Sequence, residues 1–190
     1  MNKSAFLLAL VCAASTHAQQ PPEFSSNAHE KWHAQKIITS DFAFEVLIRS
    51  KEYDDSTLMV QAIRVIERKS GNIFQQFDDV GGMEFRGTLT DVVRVMDADL
   101  NGYPDFSFPT SDGGASPNFT NNFYIFNVKR GRFELNEELS MLPQAGIDAN
   151  GIVFSEGRAS CCHHYSSTYR LRNGKLYLID STDSYTPPGD

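Results

Sequence analysis

The chain has 190 residues, a formal net charge of −7 at pH 7, and 41% hydrophobic and 12% aromatic residues. This length provides enough apolar surface for one compact core and little more, so we expect a single domain. The acidic balance disfavours nucleic-acid binding, because contacts to phosphate groups require a basic surface.

The first residues have the pattern of a secretory signal peptide. Lys3 precedes a short apolar run, and residues 16–18 are small enough for cleavage by a signal peptidase. The run is shorter than the roughly 20 residues that cross a bilayer, and no later segment is long and apolar enough. We therefore predict a cleaved signal over residues 1–18, a periplasmic or secreted protein, and no insertion into a membrane. A lipid anchor on Cys12 is the alternative, although Val11 is bulky where lipoprotein processing requires a small residue.

The next segment, residues 19–36, is polar and contains proline. We expect a flexible leader there, with at most one helical turn near residues 29–34. Beyond this leader the apolar residues recur with a period of two, as in the run from Phe42 to Ile48, which is the pattern of half-buried β-strands. The sequence therefore predicts one β domain over residues 37–181 and a C-terminal tail over residues 182–190.

Three segments share one layout, in which an apolar run meets a polar turn containing glycine and is followed by a second apolar run. They are residues 62–74, 124–133 and 169–178. Glycine stands where a hairpin turn requires a positive φ, and Asn173-Gly174 is the strongest signal of this kind. Hairpins at these intervals predict an all-β fold, namely an antiparallel meander with a propeller-like arrangement, and a β-sandwich is the alternative.

A turn rich in oxygen-bearing side chains lies between two strand-like segments. Its candidate ligands are Asp97, Asp99, Asn101, Tyr103 through its carbonyl, and Asp105. Alternate side chains of a tight turn can converge on one point, and Gly102 permits the sharp bend. Calcium binds six to eight hard oxygen ligands, and aspartates packed this closely repel one another without a cation, so we predict one bound Ca²⁺. The turn is not an EF-hand, since Phe108 occupies the position of the bidentate glutamate; a polar turn that binds nothing is the alternative.

Cys161 and Cys162 are adjacent and are followed by His163 and His164. Neighbours on a strand point to opposite faces, whereas zinc sites separate their cysteines by two or more residues, so this spacing argues against a metal site. Export removes Cys12 and leaves no third cysteine, and the compartment is oxidising, so we favour a vicinal disulfide. Free or intermolecular thiols and a bound metal stay open as alternatives.

From the acidic turn to Ile179, the order of motifs resembles a known family. The motifs are the turn ending Gly102-Tyr103-Pro104-Asp105, a polar loop at residues 111–122, Tyr124-Ile125-Phe126-Asn127 with Gly131-Arg132-Phe133, the Cys-Cys segment and the last hairpin. They resemble periplasmic calcium-binding β-propeller-like proteins that are related to lysozyme inhibitors and have a calcium loop of FG-GAP type. This family includes immunity proteins against secreted lysozyme-like effectors. The resemblance covers the C-terminal half of the chain.

The resemblance implies a propeller-like fold, calcium as a structural ion, and inhibition of a lysozyme-like glycoside hydrolase as the partner protein. Inhibitors of this kind insert a loop with an aromatic or hydroxyl-bearing tip into the enzyme cleft, where two catalytic carboxylates accept hydrogen bonds. The candidate inhibitory loop is His163, His164, Tyr165 and Ser166, and residues 111–119 form a second candidate. An acidic inhibitor also complements a basic lysozyme electrostatically.

Two other classes of function are alternatives to inhibition. The same fold suits a structural or adhesive envelope module of FG-GAP type without inhibitory activity. A hydrolase would use carboxylates such as Glu137, Glu138 or Asp148. The sequence has no nucleophile and base at a recognisable spacing, no phosphate-binding loop and no histidine set at metal-catalytic spacing. We therefore predict that the protein is not an enzyme, and we assign it no catalytic residue.

Overall fold

A computed structural model describes residues 31–51, 54–85, 88–111 and 118–186. The architecture is all-β, with three four-stranded antiparallel sheets built from consecutive strands. The predicted signal peptide and the leader as far as residue 30 lie outside these ranges. Within the described part of the chain, no helix has the length and apolar character needed to span a membrane.

Each sheet is a simple meander. The first contains β1 (Lys31–Ile38), β2 (Phe42–Lys51), β3 (Asp54–Glu67) and β4 (Ile73–Phe85). The second contains β5 (Arg94–Met96), β6 (Asp105–Ser111), β7 (Thr120–Asn127) and β8 (Arg132–Leu135). After the short helix α1 (Glu137–Ser140), the third contains β9 (Gly146–Ile147), β10 (Ile152–Arg158), β11 (His163–Arg172) and β12 (Lys175–Tyr185). Strands next to each other in the chain therefore pair within every sheet.

The β domain is longer at both ends than the sequence predicted. Residues 31–36 belong to β1, so they form neither a flexible leader nor a helical turn. Gln35 on this strand is buried, and its side-chain oxygen accepts the backbone N–H groups of Val92 (2.8 Å) and Val93 (3.1 Å). This contact spans more than fifty residues, so no local pattern reveals it. At the other end, β12 extends to Tyr185, into the predicted tail.

All three predicted hairpins are present, and each is the last hairpin of its sheet: β3–β4, β7–β8 and β11–β12. Asn173 and Gly174 both have positive φ, 51° and 74°, as a type I′ turn requires. The recurrence seen in the sequence therefore reflects a repeated four-stranded unit. The all-β class and the antiparallel meander are confirmed. Because the three sheets do not close on one another, the propeller-like arrangement stays a prediction.

Two apolar clusters hold the sheets together. The larger packs aromatic rings of the first and second sheets; Phe106 stacks on Tyr124 with ring centroids 5.0 Å apart, and Phe42 meets Phe133 edge-on at 5.4 Å. The smaller joins the second sheet, α1 and the third sheet, and its buried members are Ala98, Phe123, Ile125, Leu139, Ala145, Val153 and Leu171. Because Ala98 belongs to this cluster, the acidic turn between β5 and β6 is fixed against the rest of the core.

Candidate functional site

The acidic turn connects β5 to β6 and brings together three of its five predicted ligands. Carboxylate oxygens of Asp97, Asp99 and Asp105 all lie within 4.8 Å of one another. Two backbone N–H groups close the turn on the side chain of Asp97. Asn101 N–H donates to Oδ1 of Asp97 (3.0 Å), and Gly102 N–H donates to Oδ2 of the same residue (2.9 Å). These two bonds direct the backbone around the carboxylates, as the spacing of the sequence implied.

Asn101, a fourth predicted ligand, is placed differently. The side-chain oxygen of Asn101 accepts the backbone N–H of Tyr103 at 2.8 Å, so in this structure it shapes the turn. Leu100 adopts a left-handed conformation with φ of 57°, which costs about 1 kcal/mol or more for a residue with a Cβ. Its side chain lies against Gly151, where an added Cβ would press on it. The turn therefore touches the segment just before β10, a contact that the sequence did not indicate.

Asp105 is the buried member of the trio, with 1% of its surface exposed. Its two oxygens accept the backbone N–H groups of Ala98 and Phe126, each at 2.8 Å. Burial raises the pKa of Asp105 to about 7, against the effect of these hydrogen bonds, and the charges of Asp99 and Asp97 add to the increase. Near neutral pH, and without a cation, this carboxyl group is therefore only partly ionised.

Asp99 provides the test of whether a cation fits. Its Oδ1 is buried and has no hydrogen-bond partner among the described residues. Burial, together with the charge of Asp97, raises the pKa of Asp99. A buried carboxylate oxygen without a partner is costly, and a cation between the three acids would satisfy it. The donors are hard carboxylate oxygens, and Ca²⁺ accepts them in less strict geometry than Mg²⁺, because the smaller ion requires near-octahedral geometry and retains several waters.

The predicted inhibitory loop is not a loop. Residues 163–166 are the first four residues of β11; all four pair with β12, and residues 164–166 also pair with β10. The bend itself is confined to residues 159–162. The prediction was wrong on this point because polar residues occupy the start of the strand, and the apolar alternation that marks a half-buried strand is absent there.

Alternation along β11 divides these four residues between the two faces of the third sheet. Tyr165 pairs with Gly157, on the face that carries Val153 and Leu171 into the core, and His163 lies on the same face. His164 and Ser166 lie on the opposite face. A partner therefore meets all four residues only if it contacts both sides of the strand end.

Tyr165 is 37% exposed, and its ring lies across Gly157 of the neighbouring strand. A Cβ at position 157 would overlap the ring, so glycine is required there. On the other side, Asp183 of β12 is the cross-strand neighbour of Tyr165 and contacts Nε2 of His163. The ring of Tyr185 stands edge-on to His163 with centroids 6.4 Å apart. The strand end thus presents an aromatic, imidazole and carboxylate surface on a paired backbone.

The side-chain amide of Asn118 joins the base of the polar loop to the end of β10. Residues 112–117 of the polar loop lie outside the described residues, but Asn118 immediately after them is in place. Its Nδ2 donates to the carbonyl of Arg158 and its Oδ1 accepts the Arg158 N–H, both at 2.9 Å, as a neighbouring strand would do. Gln144 donates in the same manner to the carbonyl of Glu156 (3.2 Å). The base of the polar loop therefore lies beside the β10–β11 end.

Two of the three carboxylates named as catalytic candidates, Asp148 and Glu138, have structural partners. Oδ1 of Asp148 accepts the N–H groups of Asn150 and Ile152, each at 2.8 Å, and these bonds lower its pKa. Glu138 in α1 accepts the N–H of Leu176 at 3.1 Å. Both residues close turns or join elements, and neither takes part in the acidic turn or the β11 strand end.

Cys161 and Cys162 stand in the bend between β10 and β11. Both are free thiols in this structure, with their sulfur atoms 2.7 Å apart, and the contact with Cys161 raises the pKa of the Cys162 thiol. In the described ranges, the aspartate trio is the one group of three or more potential ligands that converges as a metal site requires. The described residues thus give no support to a metal bound by the cysteines and histidines.

We expect protein exported to an oxidising compartment and purified without reductant to contain an intramolecular Cys161–Cys162 disulfide. The two sulfurs are already in contact and exposed to oxidants. Intact-mass spectrometry should show the loss of two hydrogens, and alkylation should require prior reduction. Cys161→Ser, which leaves one thiol, should alkylate at once. Two thiols that react in the untreated wild-type protein would contradict the disulfide.

Comparisons with known proteins bear on the fold. No family model matches the chain, and no curated protein matches it. Among solved structures, one described as a Xanthomonas type IV secretion system related protein superposes with a TM-score of 0.60 at 15% identity, covering 83% of this chain and 83% of that chain. At this level of identity the likeness shows a shared fold.

Proposed function

We propose that this chain is a periplasmic binding protein that inhibits a lysozyme-like peptidoglycan hydrolase, with a structural calcium ion in the turn between β5 and β6. The observation that carries the proposal is the exposed ring of Tyr165, fixed over Gly157 at a paired strand end and flanked by His163. The signal-like N-terminus supports export. The neighbour described as related to a type IV secretion system supports a role at the cell envelope.

A rigid surface favours inhibition, because a group that is already ordered loses little entropy on binding. β11 is hydrogen-bonded on both sides where it carries Tyr165, and the ring has one fixed support in Gly157. A tyrosine combines a flat apolar body with a hydroxyl group, which suits a cleft shaped for sugar rings. Hydroxyl and imidazole groups are also donors that the two carboxylates of a glycosidase cleft accept.

The role proposed for calcium is to hold the scaffold. Asp97, Asp99 and Asp105 would bind the ion, whose chemistry here is the neutralisation of three clustered acids. Asp105 also accepts the N–H of Phe126 on β7, so the site connects the turn to the interior of the second sheet. Leu100 on the same turn contacts Gly151 next to β10. An ion that orders the turn would thereby also stabilise the start of β10, in the sheet that carries Tyr165.

The proposal excludes catalysis by this chain. The acids of the turn are assigned to the ion, and Asp148 and Glu138 are occupied by backbone hydrogen bonds. The His163–Asp183 pair lies on an exposed strand end, whereas catalytic groups usually line a concave pocket. Binding is therefore the function that these groups support best.

The test is a turbidity assay in which purified protein is added, with calcium, to a panel of purified lysozymes and lysozyme-like hydrolases acting on bacterial cell walls. We expect at least one hydrolase to lose its activity when the protein is present at a small molar excess. Bovine serum albumin at the same concentration serves as the protein control. Unchanged activity of every hydrolase on the panel at large excess would contradict the proposal.

A second function is favoured by one observation. Tyr177, Leu178 and Ile179 on the edge strand β12 are 53%, 60% and 55% exposed. An exposed apolar run on an edge strand favours contact with another protein, as expected for a structural or adhesive envelope module. This alternative predicts that hydrolases are unaffected and that Leu178→Asp removes binding to isolated cell envelopes, which the inhibitor proposal does not require.

A further inference from the structure

A polar pocket of about 340 Å³ lies at the strand end, and Tyr165 and Gly157 are part of its lining, although alternation places the Tyr165 side chain on the other face of the sheet. It spans β10, β11 and β12, and the side chains that matter are those of Glu156, Arg158, His164, Ser166, Thr182 and Ser184. The register places these residues in two cross-strand rows, Arg158–His164–Ser184 and Glu156–Ser166–Thr182. Since cross-strand neighbours on one face lie close together, the six side chains form one surface.

Arg158 is the most distinctive group in this pocket. Its Nη2 lies 3.5 Å from Nε2 of His164, and within the described ranges its guanidinium forms no ion pair. Its backbone is held on the far side by both atoms of the Asn118 amide. A guanidinium on a fixed backbone, without a carboxylate partner among the described residues, is a suitable group to bind an anion.

Hydroxyl groups complete the donor set. Ser166 and Thr182 share a hydrogen bond of 2.7 Å, so one of their two hydrogens stays free for a ligand. Ser184 donates to the carbonyl of His164 at 3.3 Å and so supports the histidine backbone. Glu156 belongs to the other cross-strand row, next to that of Arg158. Its negative charge disfavours a doubly charged phosphate more than a singly charged carboxylate.

We propose that this pocket binds a carboxylate side chain of the partner protein, with Arg158 as the main anion-binding residue and His164 beside it. The inference rests on the proposed function and deepens it, because it names the chemistry that the partner presents. A guanidinium binds a carboxylate through two parallel N–H···O bonds. Tyr165 and Arg158 lie on opposite faces of the same strand end, so this end would enter a cleft as a wedge that contacts both walls.

The first experiment does not need the partner. The ¹⁵N-labelled protein is titrated with N-acetyl-aspartate methylamide, and with N-acetyl-asparagine methylamide as the neutral control, while the Nε–H signal of Arg158 is followed by NMR. We expect saturable shifts with the aspartate compound alone. Arg158→Gln should weaken binding by about tenfold, as expected for a charge-assisted hydrogen-bonded pair. Arg172→Gln, on the same face at the other end of β11, should bind like the wild type.

Equal shifts with both compounds, or unchanged binding by Arg158→Gln, would overturn the proposal. Arg158→Lys, which keeps the charge and loses the paired donors, should bind with intermediate affinity. Thermal melts test that each variant is folded.

The second experiment measures inhibition of a hydrolase that the wild type inhibits. Arg158→Gln should raise the inhibition constant about tenfold. If the pocket binds the carboxylate compound but Arg158→Gln inhibits like the wild type, the partner protein is not the source of the carboxylate. Carboxylate binding without any inhibited hydrolase would remove the proposed function and leave the pocket assignment standing.

Discussion

Replacing Tyr165 with alanine should raise the inhibition constant for the target hydrolase by at least roughly thirtyfold, the effect of losing an interface side chain that contributes about 2 kcal/mol. The ring is exposed, large and fixed, which are the properties of residues that dominate interfaces. Tyr165→Phe should show a smaller loss, because it keeps the apolar body and removes the hydroxyl group. The turbidity assay with purified variants measures both effects.

Two further variants sharpen this result. Gly157→Ala leaves Tyr165 in the sequence but places a methyl group where the ring lies, so it should weaken inhibition in the same direction. Tyr177→Ala removes another exposed tyrosine of the third sheet, far from the strand end, and should inhibit like the wild type. Melting temperatures establish that each variant is folded. Wild-type inhibition by Tyr165→Ala would remove Tyr165 from the inhibitory surface.

Chelation of calcium should lower the melting temperature by roughly 5–10 °C. A ligand present at one hundred times its Kd stabilises the folded state by about 2.7 kcal/mol, and 1 kcal/mol shifts the melting temperature of a domain of this size by about 2–4 °C. Asp99→Asn should abolish the difference between calcium and EDTA, because it removes charge from the oxygen that lacks a partner. Differential scanning calorimetry with and without EDTA measures the change.

Asp148→Asn is the matched control for this experiment, since Asp148 also closes a turn through backbone N–H groups but lies outside the trio. The Asp148→Asn protein should be destabilised and should still respond to calcium.

The stabilisation by calcium should also depend on pH, because the pKa of Asp105 is raised from 3.8 to about 7 without an ion. The protonated acid stabilises the metal-free fold at low pH, and this contribution is lost as the pH rises through about 7. Calcium should therefore stabilise more at pH 8 than at pH 5.5, and identical melts with and without EDTA at pH 8 would contradict a bound ion.

Much of the fold could be predicted because it is encoded locally. The period-two run from Phe42 to Ile48 forms β2, and Asn173-Gly174 forms the type I′ turn of the last hairpin. Three of the five predicted ligands, Asp97, Asp99 and Asp105, likewise converge because they are close in sequence, in the turn or at its junction with β6. In each case the interacting residues are close in sequence, and geometry alone relates the pattern to the structure.

The features that were missed depend on distant contacts. β1 is polar at its start and is fixed by Gln35 through backbone groups of residues 92 and 93. The start of β11 has no apolar alternation, so its strand character comes from pairing with β10 and β12. Asn118 and Arg158 are forty residues apart, and their amide pairing has no signature in either segment. The two-faced strand end therefore became evident only in the folded chain.

The most direct measurement of the central claim is hydrogen–deuterium exchange of the protein, alone and in complex with a hydrolase that it inhibits, with calcium present. The account predicts that exchange slows at residues 158–166, where Arg158 and Tyr165 lie on the two faces of the strand end. Slower exchange confined to residues 175–179 on the outer edge, with residues 158–166 unchanged, would contradict it and would favour an adhesive contact through β12.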